Sequence, residues 1–262
     1  MVLTINIGNT NLTLGGYEPE NGRLHQKFCG QIHTDPLATA EEYAIRIKNL
    51  LTLYDCAPER IDGAILGSVT PMLTSRLQTA LRLLTPVRLL TVGPGLKSGL
   101  KLRLDNPAQL GAELLCGVVA ALDEAGSGPV VVIHADTAIT MMAANRSGEL
   151  VGGAILPGPQ LALRSLVQHT AQLPQVDLEH RSQKSVLGTN TAACLENGRV
   201  LGTASMLDGM AERFRAELGE NTRFFVAGSL PRSVLNACVT PMLCRKSLVS
   251  DGLARIWEKN RK

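Results

Sequence analysis

Aromatic residues are scarce: 3% of the 262 residues, with one Trp, three Tyr and four Phe. A surface that stacks nucleic-acid bases needs such rings. Charge of one sign is also missing, since 26 basic residues face 23 acidic ones for a net charge of +3. Basic residues cluster only at Arg245-Lys246 and over Lys259 to Lys262, and the second cluster reads as a solvated end. These features argue against a nucleic-acid partner. None of the six cysteines forms a C-x-x-C pair, and their spacing fits neither a zinc site nor a disulfide frame. Buried free thiols in a reducing cytoplasm are the expectation. No apolar run approaches the ~20 residues of a membrane span. The N-terminus enters a strand directly, without a signal core, so a cytoplasmic location is expected.

What remains is an ordinary globular composition, 45% hydrophobic and 19% charged, long enough for one large or two ordinary domains. VLTINI and NLTLGGY predict a hairpin, with a third strand near Leu24 to Cys29. A helix follows over about Thr39 to Leu53, with Thr39 and Glu42 at capping-box spacing. Ile61 to Leu66 predicts a strand, Pro71 to Leu84 a helix and Val87 to Val92 another strand. After a helix over about Ala108 to Ala125, strand–turn–strand patterning restarts at Val130. Further helices fit Pro159 to Thr170, Thr191 to Leu207 and Asp208 to Leu218, and Arg223 to Ala227 reads as a buried strand.

Ile5-Asn6-Ile7-Gly8-Asn9-Thr10 and Ile133-His134-Ala135-Asp136-Thr137-Ala138 align as the openings of two related halves. The expected architecture is α/β and duplicated, each half presenting a β-hairpin to a cleft. Domain boundaries are expected at 1–107, a connecting helix at 108–128, and 129–262. Backbone amides in tight turns form anion sites. Gly8 permits close approach, and Thr10 and Asn11 add side-chain donors. The same residue types also make plain hairpin turns.

The chain resembles the type III pantothenate kinases along almost its full length. The resemblance rests on I-G-N-T-N at 7–11, T-D-P-x-x-T-A-E-E-Y at 34–43 and S-V-T-P-x-L-T at 68–74. It continues through V-G-P-G-x-K-x-G-L at 92–100, D-N-P-x-x-x-G-A at 105–112 and G-x-x-x-P-G at 153–158. G-T-N-T at 188–191 and A-G-S at 227–229 complete it. The resemblance implies two ribonuclease-H-like domains of the acetate kinase, sugar kinase, Hsp70 and actin type. It implies a homodimer, ATP with Mg2+, and a monovalent cation, K+ or NH4+. It also implies a nucleotide site at Asn6, Gly8, Asn9, Thr10, Asn11 and Thr137, and a pantothenate site at Gly111, Ala112, Glu113 and Thr191. Glu113 is the implied catalytic base.

Several positions depart from the family pattern. Asn6 stands where the family has the aspartate that positions magnesium. An amide offers a carbonyl oxygen but no negative charge for a hard cation. Glu113 replaces an aspartate, lengthening the base by one methylene, and a displacement near 1 Å costs ~10²-fold in rate. Leu114 replaces an arginine and Leu104 a tyrosine. His134 stands in place of the aspartate that binds the monovalent cation, and Asp136 in place of a glycine. No metal-ligating set is therefore assigned. Three readings stay open: a pantothenate kinase, with its activity impaired by these changes; a non-catalytic binding or regulatory relative, paired with itself or with an active paralogue; and a kinase of a different small acid or alcohol.

Overall fold

The computed structural model describes residues 1–68, 70–170, 173 and 185–261. Val69 of the S-V-T-P run and Lys262 of the terminal cluster lie outside them. The chain forms two compact units, Met1–Glu124 with Ser247–Lys262, and Ala125–Lys246.

In the first unit, β1 (Val2–Ile7) is buried at every position. It lies between β2 (Asn11–Glu20), antiparallel, and β4 (Gly63–Ser68), parallel. A strand covered on both faces needs no polar alternation, which explains the run VLTINI. With β3 (Arg23–His33) and β5 (Arg88–Thr91) the sheet order is β3-β2-β1-β4-β5. The third strand runs longer than Leu24 to Cys29 because the β2–β3 ladder extends from Glu20↔Arg23 to Asn11↔His33. Helix α1 (Ala40–Leu53) starts on the predicted capping box, with Glu42 N–H donating to Thr39 Oγ1 and Glu42 Oε2 accepting from Thr39 N–H. Helix α2 (Pro71–Leu84) has the predicted bounds, with Pro at its first turn where a missing N–H costs nothing. The two-residue strand β6 (Lys101–Leu102) and a single 3-10 turn, Pro107–Gln109, precede α3 (Ala112–Ala125). The helix thus begins four residues after the expected Ala108, which puts Glu113 in its first turn.

The last helix, α8 (Leu248–Asn260), belongs to the first unit. Leu253, Ile256 and Trp257 pack with Val2, Tyr17, Ile65, Cys116 and Val119. Tyr17 Oη donates to Asp251 Oδ1 at 2.7 Å, and Glu258 Oε1 accepts from Leu24 N–H at 2.6 Å. The sequence boundaries at 107, 128 and 262 followed chain order. Burial regroups them: α3 lies in the first unit as far as Glu124, and the end of the chain returns to that unit's sheet. The basic cluster at the C-terminus therefore begins on a buried helix, with Asn260 Nδ2 donating to Lys97 O at 2.9 Å.

The second unit repeats the strand plan. β7 (Val130–Ala135), β8 (Ala138–Ala144) and β9 (Glu149–Pro157) form an antiparallel meander. β10 (Arg223–Gly228) joins β7 in parallel, and β11 (Met242–Cys244) joins β10. The strands run in the order β11-β10-β7-β8-β9, the same plan as the first unit. Its core includes Val131, Ile133, Met141, Leu207, Phe224 and Val226. Helix α4 (Pro159–Gln168) precedes α5 (Thr191–Asn197), which continues through a π turn, Gly198–Gly202, into α6 (Thr203–Leu218). The two helices expected to meet at Leu207-Asp208 are one run whose irregularity falls earlier, at the π turn. Helix α7 (Arg232–Ala237) lies between β10 and β11.

All six cysteines are free, but only Cys56 and Cys116 are buried; Cys29, Cys194 and Cys244 are exposed and Cys238 is intermediate. The expectation of buried thiols is thus corrected: half of them lie at exposed strand and helix positions. Burial pushes the Cys116 thiol well above its ordinary range, and burial with the nearby Asp208 raises Cys238 to about 11. No helix among the described residues is long and apolar enough to cross a membrane.

Candidate active site

Asn6 is the penultimate residue of β1, directly opposite Thr13 on β2 and Gly67 on β4. It is 7% exposed, an unusual environment for an amide. Its Nδ2 donates to Glu113 Oε1 at 2.8 Å. The local packing explains the meeting. Gly67 has no side chain, and a Cβ built there would lie 3.8 Å from Ala112 Cβ, so the start of α3 passes over the end of β4. Leu115 N–H donates to Gly111 O, placing Gly111 at the N-terminal boundary of the helix. Gly111, Ala112 and Glu113 thus assemble beside Asn6. A helix N-terminus favours a carboxylate there. Asn6 Oδ1 is buried without a hydrogen-bond partner. An orphaned carbonyl oxygen of this kind costs about 1–3 kcal/mol unless a water, ion or ligand meets it.

The turn after β1 is closed by Gly8 N–H donating to Asn11 O at 3.1 Å. Thr34 braces it, its hydroxyl donating to Gly8 O and its N–H to Thr10 O, both at 2.9 Å. Asn9, Thr10 and Asn11 are left exposed. Leu114 and Leu104 are half-buried.

In the second unit, His134 holds the place of Asn6. It is the penultimate residue of β7, opposite Thr140 on β8 and Ala227 on β10. The turn that follows, Asp136-Thr137, has exposed side chains and a closely approached backbone. Gly158 N–H donates to Thr137 O at 3.0 Å and Ser229 N–H to Ala135 O at 2.7 Å. A Cβ on Gly158 would lie 2.5 Å from Thr137 O, and one on Gly228 would lie 2.1 Å from Ala135 O. Gly228 also has φ +86°, where glycine is favoured. Only bare backbone fits around this turn.

A cavity of about 330 Å3 opens there. Its walls are the turn (Ala135 to Thr137), the start of α4 with Gln160 and Arg164, the Ser229–Pro231 segment, and Arg199 from the π turn. A second cavity, about 360 Å3 between β8, β9 and α6, is lined mainly by small and apolar residues such as Gly153, Met210 and Phe214. Convergent polar groups single out the first as the candidate ligand site. Thr137 lines it, and His134 and Thr191 do not. Thr191 is exposed at the start of α5, beside Asn190, whose Oδ1 accepts from Ala193 N–H at 2.9 Å. Arg164 and Arg199 escaped the sequence reading because each lies inside a helical pattern, where an arginine reads as a solvated side chain.

The two implied ions fare differently. Asn6 Oδ1, buried without a protein partner, is an oxygen donor suited to Mg2+. The monovalent cation does not fit: the residue matched to its ligand is an imidazole, and the nearby cavity carries two guanidinium groups. Among the described residues, no group of three or more His, Cys, Asp or Glu side chains is arranged to hold a metal.

Comparison with known proteins agrees with the duplicated plan. The family model for type III pantothenate kinase matches residues 2–213. A type III pantothenate kinase of Roseiflexus sp. (strain RS-1) is 34% identical over 261 residues, covering 100% of both chains. One from Exiguobacterium sp. (strain ATCC BAA-1283 / AT1b) is 32% identical over 262 residues, again covering 100% of both. Among solved structures, component A of (R)-2-hydroxyglutaryl-CoA dehydratase from Acidaminococcus fermentans superposes with a TM-score of 0.53 at 10% identity. That match covers 100% of this chain and 99% of the other, and it supports the fold of two ribonuclease-H-like domains.

Proposed function

The chain belongs to the type III pantothenate kinase family, and from that premise we propose that it transfers the γ-phosphoryl group of ATP to pantothenate. The observation that carries this reading is the hydrogen bond from Asn6 to Glu113, which joins residues 107 positions apart. Glu113 takes the proton of the pantothenate hydroxyl, whose oxygen then attacks the γ-phosphorus as ADP leaves. Asn6 holds one carboxylate oxygen and so orients the base. This anchoring offsets the extra methylene of a glutamate, since a base must sit within hydrogen-bond reach of its proton. Phosphoryl transfer otherwise depends on positioning and charge neutralisation. Mg2+, when bound, would neutralise phosphate charge, and Asn6 Oδ1 is the oxygen suited to hold it. Thr137 and Ser229 offer hydroxyls to the phosphates. Product would be 4'-phosphopantothenate, a step of coenzyme A synthesis, and the homodimer belongs to the same proposal.

One observation favours a second reading, a nucleotide-binding relative without turnover. An amide stands at position 6, so the Asn6–Glu113 pair carries one negative charge where two carboxylates would carry two. A coupled assay with pantothenate, ATP and Mg2+ decides between them. Turnover that Glu113→Gln abolishes supports the kinase. ATP binding without turnover supports the second reading. Gel filtration with light scattering tests the dimer.

A further inference from the structure

Arg199 is an unusual residue for a cavity wall. Its side chain is 8% exposed and its partner Glu196 is 5% exposed. The contact is a fork, with Nε donating to Glu196 Oε2 at 2.9 Å and Nη2 donating to Oε1 at 2.7 Å. Burying two charges costs several kcal/mol per ion before attraction offsets it, and apolar residues of similar volume often serve stability as well or better. Stability alone therefore gives little reason for the pair. Its location gives one. Arg199 lies in the π turn, where the extra residue per turn displaces side chains from regular helical phase. Thr203 Oγ1 donates to the carbonyl of Arg199 at 2.6 Å, so the irregular backbone is satisfied. Glu196 occupies Nε and one Nη2 hydrogen of a group with five donors. Arg199 borders the same cavity as Thr137, Ser229 and Arg164.

This geometry bears on the cation that does not fit. The position matched to the cation's acidic ligand is the imidazole of His134, and the cavity beside the turn that follows is bordered by Arg164 and by Arg199, which Glu196 holds. Asp136 is exposed, and it is the acid among the lining residues. We propose that Arg199, fixed by Glu196, supplies the positive charge at the nucleotide phosphates that a bound K+ or NH4+ would otherwise provide, so that this protein works without either. A guanidinium is suited to this role because its planar fork matches phosphate oxygens and keeps its charge at every working pH. The inference rests on the kinase reading for the identity of the nucleotide, while its test does not depend on turnover.

The test measures Mg-ATP binding by thermal shift and calorimetry in Na+, K+ and NH4+ salts of equal ionic strength. Wild-type affinity is expected to agree within about twofold across the three, as no cation site is being filled. Replacing the pair by neutral amides, Glu196→Gln with Arg199→Gln, avoids stranding a buried charge. That double variant is expected to bind Mg-ATP at least about tenfold more weakly, the scale of one charge-assisted hydrogen bond. Arg199→Lys, which keeps the charge but loses the fork, is expected to fall between the two. Should the double variant not fold, the lysine variant and the wild-type salt series decide. Tightening of wild-type binding by tenfold or more in K+ or NH4+ would overturn the inference, as would variants that bind Mg-ATP like wild type. Absence of binding in all three salts would overturn it as well. Cation-independent binding without phosphorylation of pantothenate would instead count against the kinase reading alone.

Discussion

The hairpins that open the two units share a register and differ in what they present. Asn6 faces Thr13 across one hairpin, and His134 faces Thr140 across the other. The first is followed by the exposed turn Gly8-Asn9-Thr10-Asn11, braced from one side by Thr34. The second is followed by Asp136-Thr137, also exposed at its side chains but closely approached at its backbone by Gly158 and Gly228. In the first unit the penultimate strand residue reaches a helix and orients a carboxylate. In the second that residue lies outside the cavity beside the turn, whose lining includes Thr137 and, from a helical turn distant in the chain, Arg199. Strand register is held by a ladder of backbone bonds, so it survives the divergence of side chains. The chemistry of each unit is then free to specialise: an acid in the first, cations and hydroxyls in the second.

Variants can break this division of labour. The largest effect is expected from Glu113→Gln in the first unit. Loss of a general base lowers kcat by roughly 10²–10⁴-fold. Steady-state kinetics should show that drop with little change in KM for ATP. A rise in KM for ATP instead would merge the roles of the two units. Next is Trp257→Ala, which removes a side chain only 6% exposed from the core that binds α8 to the first unit. Chemical denaturation should register a loss of roughly 3–5 kcal/mol. A near-neutral result would contradict the assignment of the C-terminal helix.

Gly228→Ala probes the backbone around the second turn. Strained backbone at a positive φ and a clash with Ala135 O together should cost about 2–4 kcal/mol. Gly8→Ala should cost less, because its added Cβ meets Asn11 O at 2.9 Å and its φ is not positive. Equal losses at the two glycines would erase the contrast in how closely the two turn backbones are approached. Thr137→Ala should raise KM for ATP by roughly 5–10-fold, about one hydrogen bond, and leave kcat within twofold.

The smallest effect concerns pH. Burial, then the charge of Asp251, pushes the Tyr17 hydroxyl far above its ordinary range. The folded state therefore favours neutral Tyr17. That contribution is complete below a pH of about 10, the usual tyrosine value, and is lost as pH rises toward the folded value. Tyr17→Phe should flatten the alkaline limb of the melting-temperature profile while lowering stability slightly at neutral pH. An unchanged alkaline limb would remove Tyr17 from the account.

The early strands, the capping box at Thr39 and Glu42, and the repeat at Val130 were all legible in local pattern. Such features follow from periodicity and short-range hydrogen bonds. Helix α8 was not expected, because its charged end masks an apolar face that acquires meaning only against β1 and β4. Asn6 and Glu113 were each singled out along the chain, yet nothing in their spacing shows that one donates to the other. Arg199 and Glu196 stand at ordinary helical spacing and become a site only through a π turn beside a cavity.

By itself the sequence determined the duplicated strand plan, the family and most of the candidate residues, because these reside in backbone propensity and ordered motifs. Only the tertiary structure decided which unit owns the C-terminal helix, what the amide at position 6 holds, and where buried positive charge meets the second turn. Those depend on contacts between residues far apart in the chain, and on burial, which no local pattern encodes.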